Sequence, residues 1–306
     1  MNILITGAWQ QANNYISTLQ DMGHLVQFLQ FEKNDLPCSY NWVEAIIGNG
    51  IFLSHSIENF LNLKYIQLTS AGFDRVPLDY INQHGIVLNN ARGVYSVPMA
   101  EYAVAGVLSL YKQLNAFVAQ QKTHTWEKIR NLKELYNQNI CIVGCGSVGT
   151  ECAKRFRAFG CNIMGVDLLN VDNQIFSHVY HLNDISEALS QADVVVITLP
   201  LSNQTYHMFN EFMFNKMKNN SIIVNIARGA LVDTNALITA LENKLRGAVL
   251  DVFEEEPLTD SPLWDMKNVV ITPHNSFVGD GNNQRLSDLI MKNLEKYRYE
   301  NTCSFT

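Results

Sequence analysis

A short apolar run followed by a glycine-rich turn constrains the fold of this chain more than any other feature. The run ICIV occupies 140–143, and the turn GCGSVG that follows places glycines at Gly144, Gly146 and Gly149. A helical segment comes next, and then a second apolar run that ends at Asp167, at the usual spacing of roughly 20 residues. A G-x-G-x-x-G sequence alone is weak evidence, but this order of strand, turn, helix, strand and acidic residue predicts a dinucleotide-binding βαβ unit.

Each glycine has a physical role in such a unit. Gly144 permits the tight turn, Gly146 lets a pyrophosphate approach the backbone, and Gly149 lets the helix pack closely on the strand. Free N–H groups at the start of the helix, around Ser147 and Val148, would hold the phosphates. The structural alternative is an ordinary turn between a strand and a helix.

The acidic residue at the end of the second strand bears on the choice of cofactor. Asp167 can accept hydrogen bonds from both ribose hydroxyls and would repel a 2′-phosphate. Leu168 and Leu169 follow it, and no arginine is present there to bind that phosphate. We therefore expect NAD rather than NADP, although Asp167 could also be a solvated strand end.

Short apolar runs alternate with polar or amphipathic segments through most of the chain, which predicts parallel sheets with crossover helices. The expected strands lie near 3–5, 25–28, 43–47, 65–68 and 86–88, and then near 140–143, 161–166, 193–199, 221–226, 246–250 and 268–272. Helices are expected after the N-caps Asp184, Asn210 and Asp233, and over 280–299. Without a flexible linker, the last helix is expected to return to the first domain.

A long helix is predicted between the two series of strands. It begins near Ser96, a plausible N-cap, and runs to about Val118 with Pro98 in its first turn. Its segment AVAGVLSLY is apolar on nearly all faces. Such a helix is usually buried between layers, domains or subunits, and the sequence leaves these alternatives open.

Composition excludes several classes of protein. With 306 residues, 47% hydrophobic and 17% charged, the chain is expected to form two folded domains. No apolar stretch approaches the roughly 18 residues of a membrane span, and a net charge of −7 disfavours nucleic acid as a partner. The first residues predict a strand rather than a signal peptide, and the six cysteines lack CxxC spacing. We expect a cytoplasmic protein with reduced thiols and no metal site.

Three residues suited to catalysis each follow an apolar run in the second half of the chain. These are Arg228 in NIARGALVD, Glu256 in LDVFEEEPL and His274 in VVITPH. Because the ends of parallel strands meet at one edge of a sheet, we expect a cation, a carboxylate and an imidazole to gather there. Taken singly, His274 could simply end a strand, Glu256 could lie in a solvated loop, and Arg228 could pair with Asp251 or Asp233.

Taken together, these motifs resemble the D-isomer-specific 2-hydroxyacid dehydrogenase family, which includes glycerate, D-lactate and 3-phosphoglycerate dehydrogenases. The resemblance rests on ordered motifs over nearly the whole chain: QLTSAGFDRV (67–76), VPMAEYAV (97–104), VGCGSVG (143–149), NIARGALVD (225–233), LDVFEEEPL (250–258) and SPLWDMKNVVITPH (261–274). It implies two doubly wound α/β domains with parallel sheets. A Rossmann NAD-binding domain over 98–275 would be inserted into a flavodoxin-like substrate domain formed by 1–97 and 276–306. It also implies a homodimer formed through the cofactor domain.

The chemistry that the family performs matches the three residues. Reduction of a 2-keto acid needs a proton donor and a fixed cation at the carbonyl oxygen. His274 is expected to be the general acid in reduction and the general base in oxidation, with Glu256 orienting its ring. Arg228 would bind the substrate carboxylate and polarise the carbonyl group. The motif aligns the glutamate directly before proline, so Glu254 and Glu255 keep the interpretation of a solvated loop.

The resemblance extends the site to further residues. Backbone N–H groups of Ser70, Ala71 and Gly72 would bind the substrate carboxylate, because small residues there permit close approach. The resemblance also implies cofactor contacts, with Leu199 and Pro200 at the adenine and with Ile226, Ala227 and Asp251 at the nicotinamide. Arg228 and His274 would contact the cofactor as well, and the backbone of 275–277, including Ser276, would line the same pocket.

Some features depart from the family pattern or leave the substrate open. Ser147 stands where relatives often have a longer basic or polar residue beside the pyrophosphate, so cofactor affinity is expected to be lower. Asn275-Ser276-Phe277 replaces a glycine-rich turn, which puts the shape of the pocket in doubt. Arg75 and Arg92 flank segments expected to line the substrate cleft, where either could bind a second anionic group or be a surface arginine.

The function that we expect is NAD-dependent reduction of a small anionic 2-keto acid, such as glyoxylate or hydroxypyruvate. Within the enzyme class, the alternative is 3-phosphoglycerate dehydrogenase. From a different class, the alternative is a non-enzymatic NAD(H)-sensing interaction protein.

Overall fold

The structure is a computed structural model that describes residues 1–169, 171 and 174–302. The chain divides into two compact units: Met1–Tyr95 with Gly279–Thr306, and Ser96–Val278. Each unit is built on one parallel sheet with helices in the crossovers. The predicted α/β class, with two doubly wound parallel-sheet domains, is therefore confirmed.

The first unit has, in its described residues, a five-stranded sheet in the order β2-β1-β3-β4-β5. The strands are β1 (Asn2–Thr6), β2 (Leu25–Leu29), β3 (Ala45–Gly48), β4 (Tyr65–Leu68) and β5 (Val87–Asn89), and the helices are α1 (Ile16–Asp21), α2 (Leu78–Gln83) and α9 (Asn282–Thr302). The central strands β1, β3 and β4 are almost entirely buried, as expected where both faces of a parallel sheet are covered.

The last helix belongs to this first unit, as predicted. Leu286, Ile290 and Leu294 recur every four residues along α9 and pack with the buried side chains on one face of the first sheet. The indole Nε1 of Trp9 donates a hydrogen bond of 2.9 Å to the Ser287 hydroxyl of the same helix.

The second unit has a sheet in the order β12-β11-β10-β9-β6-β7-β8 over its described residues. The strands are β6 (Asn139–Val143), β7 (Asn162–Asp167), β8 (His178–His181), β9 (Val194–Ile197), β10 (Ile222–Asn225), β11 (Gly247–Leu250) and β12 (Val269–Ile271). The helices are α3 (Ser96–Tyr111), α4 (Leu114–Lys122), α5 (Ser147–Ala158), α6 (Ile185–Gln191), α7 (Glu211–Lys216) and α8 (Thr234–Asn243). The strand order reverses between β6 and β9, which is where doubly wound proteins bind their ligands, beyond the carboxyl ends of the strands.

The long apolar helix was predicted as one element, and this is wrong. It ends at Tyr111, and α4 begins at Leu114 after Gln113 adopts a left-handed conformation with φ of 52°. The burial of α3 is explained inside the second unit, where Gly106 lies directly against Val249 of β11. In α4 no residue is buried.

Several local predictions can also be compared with the structure. Ser96 is the first residue of α3 and its buried hydroxyl has no hydrogen-bond partner, so its prediction as an N-cap is wrong. Asn210 and Asp233 cap α7 and α8 as predicted, each accepting a backbone N–H bond, whereas the side chain of Asp184 makes no such bond at α6. The edge strand β8 was not predicted.

The predictions about membrane spans and about cysteines, drawn from composition, can be compared with the described residues only. Among the described residues, no helix is long and apolar enough to cross a membrane. Four of the cysteines are buried free thiols, Cys141, Cys145, Cys152 and Cys161. Burial raises the pKa of Cys145 to about 12, with the charge of Asp167 adding to the rise. Cys303 lies outside the described residues.

Candidate active site

The glycine turn follows β6 at the point where the strand order reverses. Gly144 has φ of +104°, a conformation that favours glycine, and its carbonyl accepts a hydrogen bond of 2.6 Å from the Thr198 hydroxyl. At Gly149, a Cβ atom would lie 2.0 Å from the carbonyl oxygen of Gly144, so helix and turn can approach only with glycine there. Thr198 was missed by the sequence analysis, because nothing in its surroundings marks it.

Gly146 differs from its two neighbouring glycines. It is the N-cap of α5, and a Cβ atom built on it would have no heavy atom within 4 Å. Packing within the protein therefore does not exclude a larger residue than glycine at position 146. The next residues, Ser147 and Val148, start the helix, where N–H groups lack intrahelical acceptors and favour anions. These residues fit the pyrophosphate of a dinucleotide.

Asp167 ends β7 beside this turn and is partly buried. Its Oδ2 accepts the N–H of Cys145 at 2.7 Å and its Oδ1 accepts the N–H of Leu169 at 3.1 Å. These bonds fix the carboxylate, and each oxygen keeps a further lone pair for a ribose hydroxyl. Leu168 and Leu169 are exposed, at 50% and 74%. The arrangement fits the adenosine ribose of NAD.

The other predicted cofactor contacts follow β9 and β10 at the same edge of the sheet. Leu199, Ile226 and Ala227 are buried, and Pro200 is exposed. The side chain of Asn225, at the end of β10, accepts the N–H of Ala227 at 3.1 Å and donates to the carbonyl of Arg228 at 2.9 Å. Asn225 thus fixes the turn that carries Arg228, a role that sequence reasoning missed.

Arg228 is held next to the loop that carries Glu256. A Cβ atom on the following residue, Gly229, would lie 1.8 Å from the carbonyl carbon of Phe253, so the two segments are in backbone contact. The guanidinium Nη1 of Arg228 donates to the carbonyl of Ala227 at 2.8 Å. Among the described residues, no hydrogen bond or ion pair joins Arg228 to Asp251 or Asp233, whose carboxylates accept bonds from other groups.

Glu256 and His274 form the pair that was predicted. The Nδ1 atom of His274 lies 2.8 Å from Oε2 of Glu256, and Oε1 of Glu256 accepts the N–H of Phe253 at 3.0 Å. The carboxylate is therefore held by backbone and orients the imidazole ring. Within the described chain, Nε2 of His274 has no hydrogen-bond partner, and the side chain is 41% exposed. The geometry allows Nε2 to exchange a proton with a bound molecule.

The backbone of His274 is held by Asp251. His274 has φ of 50°, a left-handed conformation that costs a non-glycine residue on the order of 1 kcal/mol. The carbonyl of Asp251 accepts its N–H at 2.8 Å, and the fully buried carboxylate of Asp251 accepts the N–H groups of Asn275 at 2.7 Å and Ser276 at 2.9 Å. Asp251 was predicted beside the nicotinamide; its carboxylate is directed into the loop of 272–276.

Two hydroxyl groups complete the surroundings of Asp251. The Thr272 hydroxyl lies 2.5 Å from Oδ1 of Asp251 and 2.6 Å from the Tyr102 hydroxyl. Burial raises the pKa of Tyr102; the hydrogen bond with Thr272 opposes this rise, and the charge of Asp251 adds to it. Tyr102 therefore keeps its proton, and the carboxylate of Asp251, an acceptor only, accepts the hydrogen bond that the Thr272 hydroxyl donates.

The predicted substrate loop lies in the first unit, after β4. The carbonyls of Ser70 and Ala71 accept bonds from the N–H of Ala91 at 2.8 Å and from Nδ2 of Asn90 at 2.6 Å. In the described part of the chain, no acceptor pairs with the backbone N–H groups of Ser70, Ala71 or Gly72. A loop with its carbonyls occupied and its N–H groups free suits an anion.

Arg75 and Arg92 also lie in the first unit. Both are exposed. Among the described residues, neither guanidinium makes a hydrogen bond or an ion pair. Arg75 borders an open cavity of about 300 Å³ that is also lined by Phe52, Ile57 and Val76.

Glu254 lies in an exposed loop, as predicted, but its carboxylate makes contacts that the sequence analysis missed. Its Oε2 lies 2.6 Å from Nε2 of His207, and its Oε1 accepts two bonds from Thr234, the first residue of α8. Glu255, in contrast, is exposed and makes no hydrogen bond or ion pair with any described residue. The local sequence EEE offers no signal that separates the three glutamates.

Comparison with known proteins agrees with this geometry. Residues 104–276 match the family model described as D-isomer specific 2-hydroxyacid dehydrogenase, NAD binding domain. A glyoxylate reductase of Thermofilum pendens is 34% identical over 241 residues, which are 76% of this chain and 71% of that protein. A D-3-phosphoglycerate dehydrogenase of Methanocaldococcus jannaschii is 36% identical over 222 residues, 71% of this chain but only 42% of that protein.

Among solved structures, the D-lactate dehydrogenase of Aquifex aeolicus, complexed with NAD and lactic acid, is similar to this chain. It has a TM-score of 0.77 and 25% sequence identity, with 98% of this chain and 96% of that chain covered.

The fold and the matching family model define an oxidoreductase of the Rossmann class, with an NAD-binding domain. The chain belongs to the D-isomer specific 2-hydroxyacid dehydrogenase family, whose members are NAD-dependent enzymes that act on 2-hydroxyacids.

Proposed function

We propose that this protein is a reductase of small anionic 2-keto acids, with glyoxylate and hydroxypyruvate as the first substrates to test. The observation that carries the proposal is the contact of 2.8 Å between His274 Nδ1 and Glu256, which directs Nε2 away from the carboxylate. An imidazole oriented in this way is suited to give a proton to an oxygen that becomes negative. The resemblance to glyoxylate reductases supports the choice of substrates.

His274, Glu256 and Arg228 each have a distinct role in the proposed reaction. NADH, when bound, supplies the hydride that the carbonyl carbon accepts. Nε2 of His274 would give its proton to the carbonyl oxygen, while Glu256 stabilises the charged ring beforehand. Arg228 would bind the substrate carboxylate and polarise the carbonyl group. In the opposite direction, neutral His274 would take the hydroxyl proton.

We propose NAD rather than NADP as the preferred cofactor. Asp167 carries a negative charge where a 2′-phosphate would be bound, and its carboxylate is fixed by Cys145 and Leu169. Rotating it away would break both backbone bonds. Leu168 and Leu169 offer that phosphate no positive charge.

The domain assignment is also a proposal. We assign substrate binding to the domain formed by 1–97 and 276–306, and cofactor binding to 98–275. The free N–H groups of Ala71 and Gly72 support the first assignment, and the glycine turn supports the second.

We further propose a cytoplasmic homodimer formed through the cofactor domain. Trp126 is 97% exposed, and Leu114 and Val118 of the neighbouring helix are about half exposed. Large apolar side chains exposed at a surface are typical of protein interfaces. Light scattering on Trp126→Glu beside the wild type tests this proposal: the variant is expected to be monomeric, and a wild-type monomer would contradict it.

The activity is tested by NADH oxidation with glyoxylate, hydroxypyruvate, pyruvate and branched 2-keto acids. We expect turnover with at least one of them. If NADH binds but none is reduced, the protein is instead an NAD(H)-sensing interaction protein. Intact Arg228, Glu256 and His274 weigh against that outcome.

A second candidate function is 3-phosphoglycerate dehydrogenase, which the similarity to the enzyme of Methanocaldococcus jannaschii supports. Arg75 and Arg92 are cations of the first unit without ion-pair partners in the described chain, and either could bind a second anionic group. If so, Arg75→Ala or Arg92→Ala lowers activity on doubly anionic 2-keto acids more than on glyoxylate. An equal fall on both substrate classes would remove this candidate's support.

A further inference from the structure

A second histidine–carboxylate pair lies on the loop that carries Glu256. Oε2 of Glu254 lies 2.6 Å from Nε2 of His207. Oε1 of the same carboxylate accepts the backbone N–H of Thr234 at 2.8 Å and its hydroxyl at 2.6 Å. Both oxygens of Glu254 are therefore committed to protein partners, none of which was assigned to the reaction.

These partners belong to two other segments of the same unit. The backbone N–H of His207 donates to the carbonyl of Ala230 at 2.8 Å, two residues after Arg228. Thr234 begins α8 directly after the turn that carries Arg228. Glu254 thus joins the loop of Glu256 to the segment from Arg228 to Thr234 and to the segment of His207.

The backbone of the same loop also holds the carboxylate of Glu256 in place. The N–H of Phe253, next to Glu254, donates to Oε1 of Glu256 at 3.0 Å. Gly229 packs directly against the backbone of Phe253 and Glu254. A displacement of the backbone at Phe253 would therefore move the carboxylate that orients His274.

The charge state of Glu254 agrees with this tight binding. Burial works to raise the pKa of Glu254, but hydrogen bonds from Thr234 and His207 outweigh it and hold the pKa below its usual range. The side chain is consequently ionised at neutral pH. Its acceptor bonds to Thr234 also place a negative charge at the N-terminus of α8, where the helix dipole favours it.

We propose that Glu254, held by His207 and Thr234, is a positioning residue that fixes the Glu256–His274 pair relative to Arg228. The inference deepens the proposed function and rests on it, because the roles of these three residues belong to that proposal. Glu254 touches neither substrate nor cofactor in this account. It acts through the backbone at Phe253.

The kinetic consequence is a fall in kcat without a matching loss of cofactor binding. A misplacement of about 1 Å can cost on the order of 100-fold in rate. We expect Glu254→Ala to lower kcat about 10- to 100-fold, with the Kd for NADH changed less than about two-fold. Glu254→Gln should recover much of the rate, since the amide can accept from Thr234 and donate to a neutral imidazole.

Glu255→Ala is the matched control. It removes the same charge from the neighbouring position, and Glu255 has no hydrogen-bond or ion-pair partner in the described chain. Its kcat should equal that of the wild type. Should Glu254→Ala fail to fold, His207→Asn removes only one partner of Glu254 and is expected to lower kcat by a smaller factor in the same direction.

The decisive experiment observes His274 directly, without turnover. In the ¹⁵N-histidine-labelled protein, the signal of the proton on Nδ1 of His274 is identified by its disappearance in His274→Gln. We expect this signal to move or broaden in Glu254→Ala and to keep its position in Glu255→Ala. An unchanged signal in Glu254→Ala would overturn the positioning role even in an active enzyme. A displaced signal in a protein that reduces no 2-keto acid would support the positioning role while the proposed function fails.

Discussion

Two glycines of one turn, Gly146 and Gly149, are predicted to respond to alanine in opposite ways. At Gly149 a Cβ atom would lie 2.0 Å from the carbonyl oxygen of Gly144, whereas ordinary contact begins near 3.4 Å. The turn and α5 must therefore separate by about 1.4 Å. Overpacking of this kind costs about 1–3 kcal/mol of folding free energy.

At Gly146 an alanine side chain would contact no other part of the protein. No heavy atom lies within 4 Å of the added Cβ, and φ of −70° is accessible to alanine. The free energy of unfolding should change by less than about 1 kcal/mol. The added methyl group would, however, occupy the approach of the pyrophosphate. Losing one hydrogen bond to a charged group costs about 1.5–3 kcal/mol, which weakens NADH binding about 10- to 150-fold.

The two variants are compared by calorimetry without cofactor and by titration of NADH fluorescence. We expect Gly146→Ala to keep the wild-type Tm and lose affinity, and Gly149→Ala to lose several degrees of Tm. Wild-type NADH affinity in Gly146→Ala would refute the placement of the pyrophosphate at this glycine.

Three further predictions concern charge. Asp167→Ala should narrow the preference for NADH over NADPH, measured as the ratio of kcat/KM values, and equal use of both cofactors by the wild type would contradict the role of Asp167. Arg228→Ala should mainly raise KM for the 2-keto acid, with a smaller effect on kcat, so an unchanged KM in steady-state kinetics would remove its role in binding the carboxylate. Burial works to raise the pKa of Asp193, but hydrogen bonds from Lys218 at 2.7 Å and from the N–H of Asn139 hold it below its usual range. The stability that Asp193 contributes is present above its unfolded pKa and is lost as the pH falls through its folded pKa. The difference in Tm between the wild type and Asp193→Asn should therefore shrink from neutral pH towards about pH 3. A difference in Tm that stays constant over this range would contradict the prediction.

The parts of the fold that sequence predicted are those in which local pattern and burial agree. The strands at 140–143 and 222–224 are continuous apolar runs, and the turn at Gly144 has a spacing that few other structures require. The edge strand β8 has the sequence HVYH and only partial burial, so it gives little periodic signal. The break at Gln113 was missed because neither glycine nor proline marks it.

The sequence also predicted part of the candidate active site. His274, Glu256 and Arg228 follow strands, so their gathering at one edge could be inferred from topology. The residues that hold them could not be inferred, because Asp251 and Glu254 act through bonds to backbone groups 24 and 20 residues away, and the bonds of Asn225 depend on the shape of its own turn. Such contacts exist only after the loops have their final conformations.

The central claim is that His274 gives the proton when a 2-keto acid is reduced. The most direct measurement is the single-turnover rate of NADH oxidation in His274→Asn, with the 2-keto acid that the wild type reduces fastest and with NADH binding measured on the same sample. The account predicts intact NADH binding and a rate reduced by at least about 100-fold, the usual range for loss of a general acid. A near-normal rate in His274→Asn would contradict it.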